Sequence, residues 1–165
     1  MIRQVQLKDA KQIVAIYNYY VLNSIVTFDK TPFLESDFVA RIRNIQKKYP
    51  FIVYEENDTI LGYAYANKWR EKPAYKQTVE STVYVKYNIH NKGIGTKLYT
   101  VLLNELLASN YHTVVGGLSL PNDASIKLHE NFGFKKVAHF KEVGFKFDNW
   151  VDVGFWQLKF QNTNS

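Results

Sequence analysis

The chain has 165 residues and a mass of 19.3 kDa, the span of one domain at ~100–150 residues each, and its 46% hydrophobic and 22% charged content excludes general disorder. The absence of cysteine excludes disulfides, thiolate metal sites and thiol nucleophiles, and no apolar run approaches the ~20 residues of a membrane helix. Twenty-one Lys and Arg against fifteen Asp and Glu leave a formal net charge of +6, which suits an anionic ligand without identifying one.

Residues 2–6 alternate and predict a short strand, with no signal-peptide core, so a cytoplasmic location is expected. Asp9 then precedes Ala10, Ile13, Val14, Tyr17, Tyr20 and Val21, an apolar stripe at helical spacing behind an acidic cap. Residues 23–32 break the pattern and predict a loop. Phe38, Ile42, Ile45 and Tyr49 mark a second helix, ended by Pro50. Residues 51–55 and 60–69 are β-rich and joined by a polar turn, a hairpin signal. After a polar loop over 70–76, residues 77–85 predict a strand with Val79, Ser81, Val83 and Val85 on one face and Thr78, Glu80, Thr82 and Tyr84 on the other.

A polar loop over 86–92 leads to Gly93-Ile94-Gly95. Behind it Leu98, Val101, Leu102, Leu106 and Leu107 give the strongest helical stripe of the chain. The continuous apolar run 113–118 predicts a strand buried on both sides. Pro121-Asn122-Asp123 caps a short helix to Asn131, and two long strands follow over 134–147 and 151–160. The order βααβββαβαββ predicts one mixed α/β domain over 1–160, followed by a frayed tail over 161–165.

The turn at Gly93 to Thr96 follows a strand and opens a helix. Glycines there let a ligand approach the backbone, and free amides at a helix start face anions. Leu98 stands where a dinucleotide fingerprint needs its third glycine, and Gly-Thr-Lys does not match a P-loop. Gly117-Leu118-Ser119-Leu120-Pro121 lacks the last glycine of a nucleophile elbow. His90, His112, His129 and His139 show no paired metal-ligand spacing, so no metal is expected. Glu80 is an odd carboxylate for a strand face unless it meets solvent or a site.

Taken in order, Glu80-Ser81-Thr82-Val83-Tyr84-Val85, the turn from His90 to Gly95, Asn122-Asp123-Ala124-Ser125 and Leu128-His129-Glu130-Asn131-Phe132-Gly133-Phe134 resemble the GNAT N-acetyltransferase superfamily. Trp69, Ala74-Tyr75, Asn149-Trp150 and Asp152-Val153-Gly154-Phe155-Trp156-Gln157-Leu158 are similar to its branch acetylating phosphinothricin, methionine sulfone and methionine sulfoximine. The resemblance implies the GNAT fold, an α/β (α+β) arrangement whose twisted, mostly antiparallel sheet splays its central strands to admit acetyl-CoA. It places Val83, Tyr84 and Val85 along the pantetheine arm, Asn91, Lys92, Gly93, Ile94, Gly95 and Thr96 at the pyrophosphate, and Asn122 at the cofactor. His90 departs from the Gln or Arg usual at the first position of that turn.

By the same resemblance Glu80 is the general base that frees the attacking amine, and His129 the acid that meets the departing thiolate. A backbone N–H from residues 83–85 is expected at the oxyanion. With no cysteine, direct transfer in a ternary complex is expected. Arg70 and Lys72 are candidates for an acceptor carboxylate, with Pro73, Ala74, Tyr75 and Phe28 around the pocket. The implied substrate is a small amino-acid-like amine, and the implied assembly a homodimer. Two alternatives are another acceptor (a protein N-terminus, a polyamine or an aminoglycoside) and a non-catalytic basic RNA-binding domain. The 12 Tyr and 11 Phe fall in strand and helix stripes, with no Arg-rich or RRM-like run, so neither nucleic acid nor a membrane is an expected partner.

Overall fold

Alternating side chains on the second and third strands are apolar on both faces, so that part of the sheet must be covered twice. The computed structural model, which describes residues 1–89 and 92–161, meets that demand with helices on both sides. The elements are β1 (Ile2–Gln4), α1 (Ala10–Asn23), α2 (Glu35–Gln46), β2 (Phe51–Glu56), β3 (Thr59–Lys68), β4 (Thr78–Val85), α3 (Ile94–Ala108), β5 (Thr113–Leu120), α4 (Asp123–Asn131), β6 (Lys135–Lys146) and β7 (Asn149–Lys159). The predicted order is the observed one. Asn91 and His90 lie outside the described residues, as does the tail beyond Gln161.

Boundaries shift where local geometry decides them. β1 stops at Gln4 because the chain turns into a 3₁₀ helix at Leu7–Asp9. The last hairpin turns on two residues, Phe147 and Asp148, with φ of 52° and 57°, so β7 begins at Asn149 and not at 151. β5 runs to Leu120, two residues past its apolar run, and the first of them, Ser119, reaches the site.

The strands form one sheet in the order β1-β2-β3-β4-β5-β7-β6. Every neighbouring pair is antiparallel except β4 and β5, which the crossover through α3 makes parallel. Ile52, Leu61, Ala64 and Ala66 pack toward α3, where Leu98, Leu102 and Leu106 are fully buried. Each such leucine contributes about 1.5–3 kcal/mol by leaving water. Phe51, Val53, Ile60 and Tyr63 face the other way, against α1 and α2 through Ile13, Tyr17, Phe38 and Ile42. The β6–β7 hairpin ends the sheet and exposes Val137, Phe140, Val143, Phe145, Phe147 and Trp150. Among the described residues no helix is long and apolar enough to cross a membrane.

Candidate active site

β4 and β5 pair only from Thr78 to Glu80 against Thr113 to Val115, yet both strands continue for five more residues. Beyond Glu80 and Val115 they part, and the fork opens a cavity of about 580 Å³. Val83, Tyr84 and Val85, the residues expected along a pantetheine arm, line it. A second depression of about 390 Å³ shares Val85, Gly95, Ala124 and Leu128 with the first and carries it over Lys92 to Thr96. The two form one slot.

The far end of this slot is made of main chain. Gly93 caps α3 with φ of +61°, a left-handed turn that glycine adopts without strain. The amide of Lys97 makes the first helical bond, to the Gly93 carbonyl, so the amides before it have no intrahelical acceptor. They point out of a helix start, where the dipole favours an anion. The Lys92 ammonium pairs with Glu56 at 2.9 Å, and Lys92 lines the slot. Asn122 caps α4 by accepting from the Ser125 N–H, which leaves its amide group for a ligand in the cavity it lines. Free amides, a side chain with an uncommitted donor and a groove of this length fit the diphosphate and pantetheine of coenzyme A.

On the apolar face of β4, Ser81 begins a buried polar chain. Its Oγ lies 2.9 Å from the Tyr99 hydroxyl, which lies 2.7 Å from His129 Nε2, while His129 Nδ1 lies 2.7 Å from the Ser125 carbonyl. A carbonyl only accepts, so Nδ1 carries the ring proton and Nε2 accepts from Tyr99. Burial holds the His129 pKa below its ordinary value and raises that of Tyr99. The ring fits because β5 has no side chain at Gly116: a Cβ there would come within 2.4 Å of Nε2. Sequence reasoning found His129 and missed Tyr99; a tyrosine and a serine on otherwise apolar stripes were the available signal.

The opposite face of β4 carries Glu80. Burial raises its carboxyl pKa, the Arg70 charge pulls the other way, and the carboxylate has no hydrogen-bond partner among the described residues. Its Oε1 lies 3.4 Å from where a Cβ on Gly117 would stand. Around it Tyr17, Tyr20, Tyr65, Tyr84, Val26, Thr27 and Ser119 complete a chamber. None of these but Tyr84 was singled out from the sequence, since they come from four separate segments with no shared spacing.

The remaining candidates sit outside the chamber lining. The Arg70 guanidinium stacks 4.2 Å over the Trp69 ring, and Trp69 meets Phe155 beside Gly117, which puts Arg70 near its rim. Lys72 precedes a 3₁₀ turn at Pro73–Tyr75, and all four of these residues are exposed, none of them lining the cavity. Phe28, expected to close the pocket, instead packs on Gly144, and its neighbours Val26 and Thr27 form the wall. No group of three or more potential metal ligands occurs among the described residues.

Comparison with known proteins places this geometry. Residues 2–154 match the model of the acetyltransferase (GNAT) domain. The chain is 37% identical over 160 residues to a phosphinothricin N-acetyltransferase of Streptomyces viridochromogenes, covering 97% of this chain and 87% of that protein. It is 35% identical to an L-methionine sulfoximine/L-methionine sulfone acetyltransferase of Salmonella typhimurium, covering 96% and 92%. The structure of yncA from Salmonella typhimurium with its cofactor acetyl-CoA superposes with a TM-score of 0.95 at 34% identity, over 100% of this chain and 96% of that one.

Proposed function

The chain belongs to the GNAT acetyltransferase family, and from that premise we propose that it transfers the acetyl group of acetyl-CoA to the amino group of a small amino acid of the phosphinothricin, methionine sulfone or methionine sulfoximine type. The observation that carries this reading is the placement of Glu80. It is the last paired residue before the fork, in a cavity lined on one side by Tyr17, Tyr20, Tyr65 and Tyr84 and on the other by Val85, Gly95 and Asn122.

Acetyl-CoA supplies the acetyl group as an activated thioester. Val83 to Val85, Lys92 to Thr96 and Asn122 hold it, with Asn91 assigned to the same turn by resemblance. Glu80 accepts the proton an ammonium must lose before it attacks, directly or through a water, and its burial makes it a better base than an exposed carboxylate. A backbone N–H of residues 83–85 faces the oxygen that gains charge. His129 serves the departing thiolate through its neighbours. A proton taken up at Nε2 makes it a strong acid, because burial disfavours the cation. That proton passes to the Tyr99 oxygen as the tyrosine proton passes to Ser81 and the serine proton to sulfur, so each hydroxyl ends as it began.

Arg70 and Lys72 attract the acceptor carboxylate at the rim, with Pro73 to Tyr75 shaping the approach. The protein works as a cytoplasmic homodimer joined through the apolar β6–β7 hairpin, without nucleic acid or membrane partners. Titration calorimetry with acetyl-CoA, followed by an amine panel read by thiol release, tests the function. Saturable acetyl-CoA binding with transfer to methionine sulfone or phosphinothricin is expected. Transfer to polyamines or aminoglycosides alone would overturn the substrate class, and an acetylated enzyme trapped by quenching would overturn direct transfer.

A further inference from the structure

The wall of the acceptor chamber at Val26 and Thr27 belongs to the loop that follows α1. The far end of the chain holds it. Lys146, the last residue of β6, is 2% exposed, and its Nζ donates to the carbonyls of Ser24 at 2.7 Å and Thr27 at 2.8 Å, with a longer contact to Tyr20 at 3.5 Å. No carboxylate pairs with it among the described residues. An ammonium placed on three carbonyls at the end of α1 meets the negative end of that helix and has all three of its protons engaged. Its position also lies 5.1 Å from the Phe147 ring.

A second contact joins the same two segments. The Phe28 ring occupies the space over Gly144 of β6, where a Cβ would meet it at 2.3 Å. The loop in turn orders groups that face the acceptor. Thr27 Oγ1 lies 2.8 Å from the Tyr17 hydroxyl, which also donates to Asp29, and Ser119 Oγ donates to the Ile25 carbonyl at 2.6 Å. No residue of β6 or β7 lines the chamber among the described residues. The hairpin reaches the Val26–Thr27 wall through these contacts, and the β5 wall through the pairing of β7 with Gly117 to Ser119.

We propose that Lys146 is a positioning residue for acceptor recognition, and that with the Phe28–Gly144 contact it makes the C-terminal hairpin the determinant of where the Val26–Thr27 wall stands. The inference rests on the reading of this chamber as the acceptor site. It assigns no chemistry to Lys146 itself.

The test uses the full chain with K146M, which keeps the length and removes the charge, K146R, and F28A, which breaks the same connection at the surface. K146M is expected to raise KM for methionine sulfone about tenfold with kcat within about threefold and acetyl-CoA affinity unchanged, since misplaced contacts remote from chemistry show first in binding. K146R recovers part of that loss, and F28A shifts the acceptor KM in the same direction by about threefold. Hydrogen exchange at residues 24–29 quickens in K146M and F28A while α3 and β4 keep their protection. If K146M does not fold, F28A and K146R carry the measurement. An unchanged acceptor KM with unchanged exchange at 24–29, or an equal loss of acetyl-CoA affinity, overturns the proposal. If the native enzyme acetylates no amino acid, the substrate reading fails, and the exchange measurement, which needs no acceptor, still decides the role of Lys146.

Discussion

The two faces of β4 solve different problems with different materials. Toward α3 and α4 the cofactor slot is built from backbone: a strand edge left unpaired by the fork, a left-handed glycine and the amides of a helix start. Toward α1 the acceptor chamber is built from side chains gathered from α1, its following loop, β3, β4 and β5. Main-chain groups cannot be changed by substitution, so the first face suits a ligand that stays the same. Side chains can be changed one at a time, so the second suits a ligand that differs between relatives. On the proposed reading, binding of acetyl-CoA and choice of amine are separable, with Glu80 as the point where they meet.

That separation can be broken from either side. The largest effect is expected for E80Q, which keeps the shape of the side chain and removes the base: kcat/KM should fall about 10²–10⁴-fold while acetyl-CoA still binds in calorimetry. A loss of acetyl-CoA affinity of similar size would show that the two faces are not independent. G116A comes next. Its Cβ would meet the His129 ring at Nε2, 2.4 Å, and Cδ2, 2.7 Å, so overpacking should cost about 1–3 kcal/mol in denaturant unfolding and displace the imidazole.

Y99F leaves His129 Nε2 and Ser81 Oγ without their shared hydroxyl. A buried group left unpaired costs about 1–3 kcal/mol, and kcat should fall with little change in acceptor KM. Equal activity in Y99F would remove the tyrosine from the proton path. The smallest effect is expected for R70A, an exposed rim charge: acceptor KM should rise about tenfold with acetyl-CoA affinity unchanged. The same variant carries a signed pH test. Burial raises the Glu80 pKa above its ordinary value and Arg70 opposes that rise, so activity is lost as pH falls through the raised pKa. Removing Arg70 should move that acidic limb to higher pH. A limb that stays in place would separate Arg70 from Glu80.

How legible the site was depended on which of these materials built each part. Gly93 to Thr96 and Asn122 could be found from local sequence because a helix start and a cap are made by neighbours in the chain. Glu80 stood out as a carboxylate on a strand face, and its partners on that face lay at the expected register. Tyr17, Thr27, Tyr65 and Ser119 carried no such mark, because an aromatic on an amphipathic helix reads as core until the sheet brings it to a cavity. Phe28 was expected to close the pocket, and its packing on Gly144 could not be read from the sequence because that partner lies more than a hundred residues away. Lys146 gave no signal at all. A lysine near a hairpin tip is expected in water, and only the approach of three carbonyls makes burial tolerable.

By itself the sequence determined the order of the elements, the strand alternation that covers the sheet on both faces, the glycine turn that opens α3 and the lack of cysteine. Those follow from periodicity, caps and composition, which act over a few residues. Only the tertiary structure decided where β4 and β5 part, which protons His129 and Tyr99 hold, and which loop walls the acceptor. Each of these depends on groups far apart in the chain meeting at a distance of a few ångströms, and burial and hydrogen bonding take their sign from that meeting.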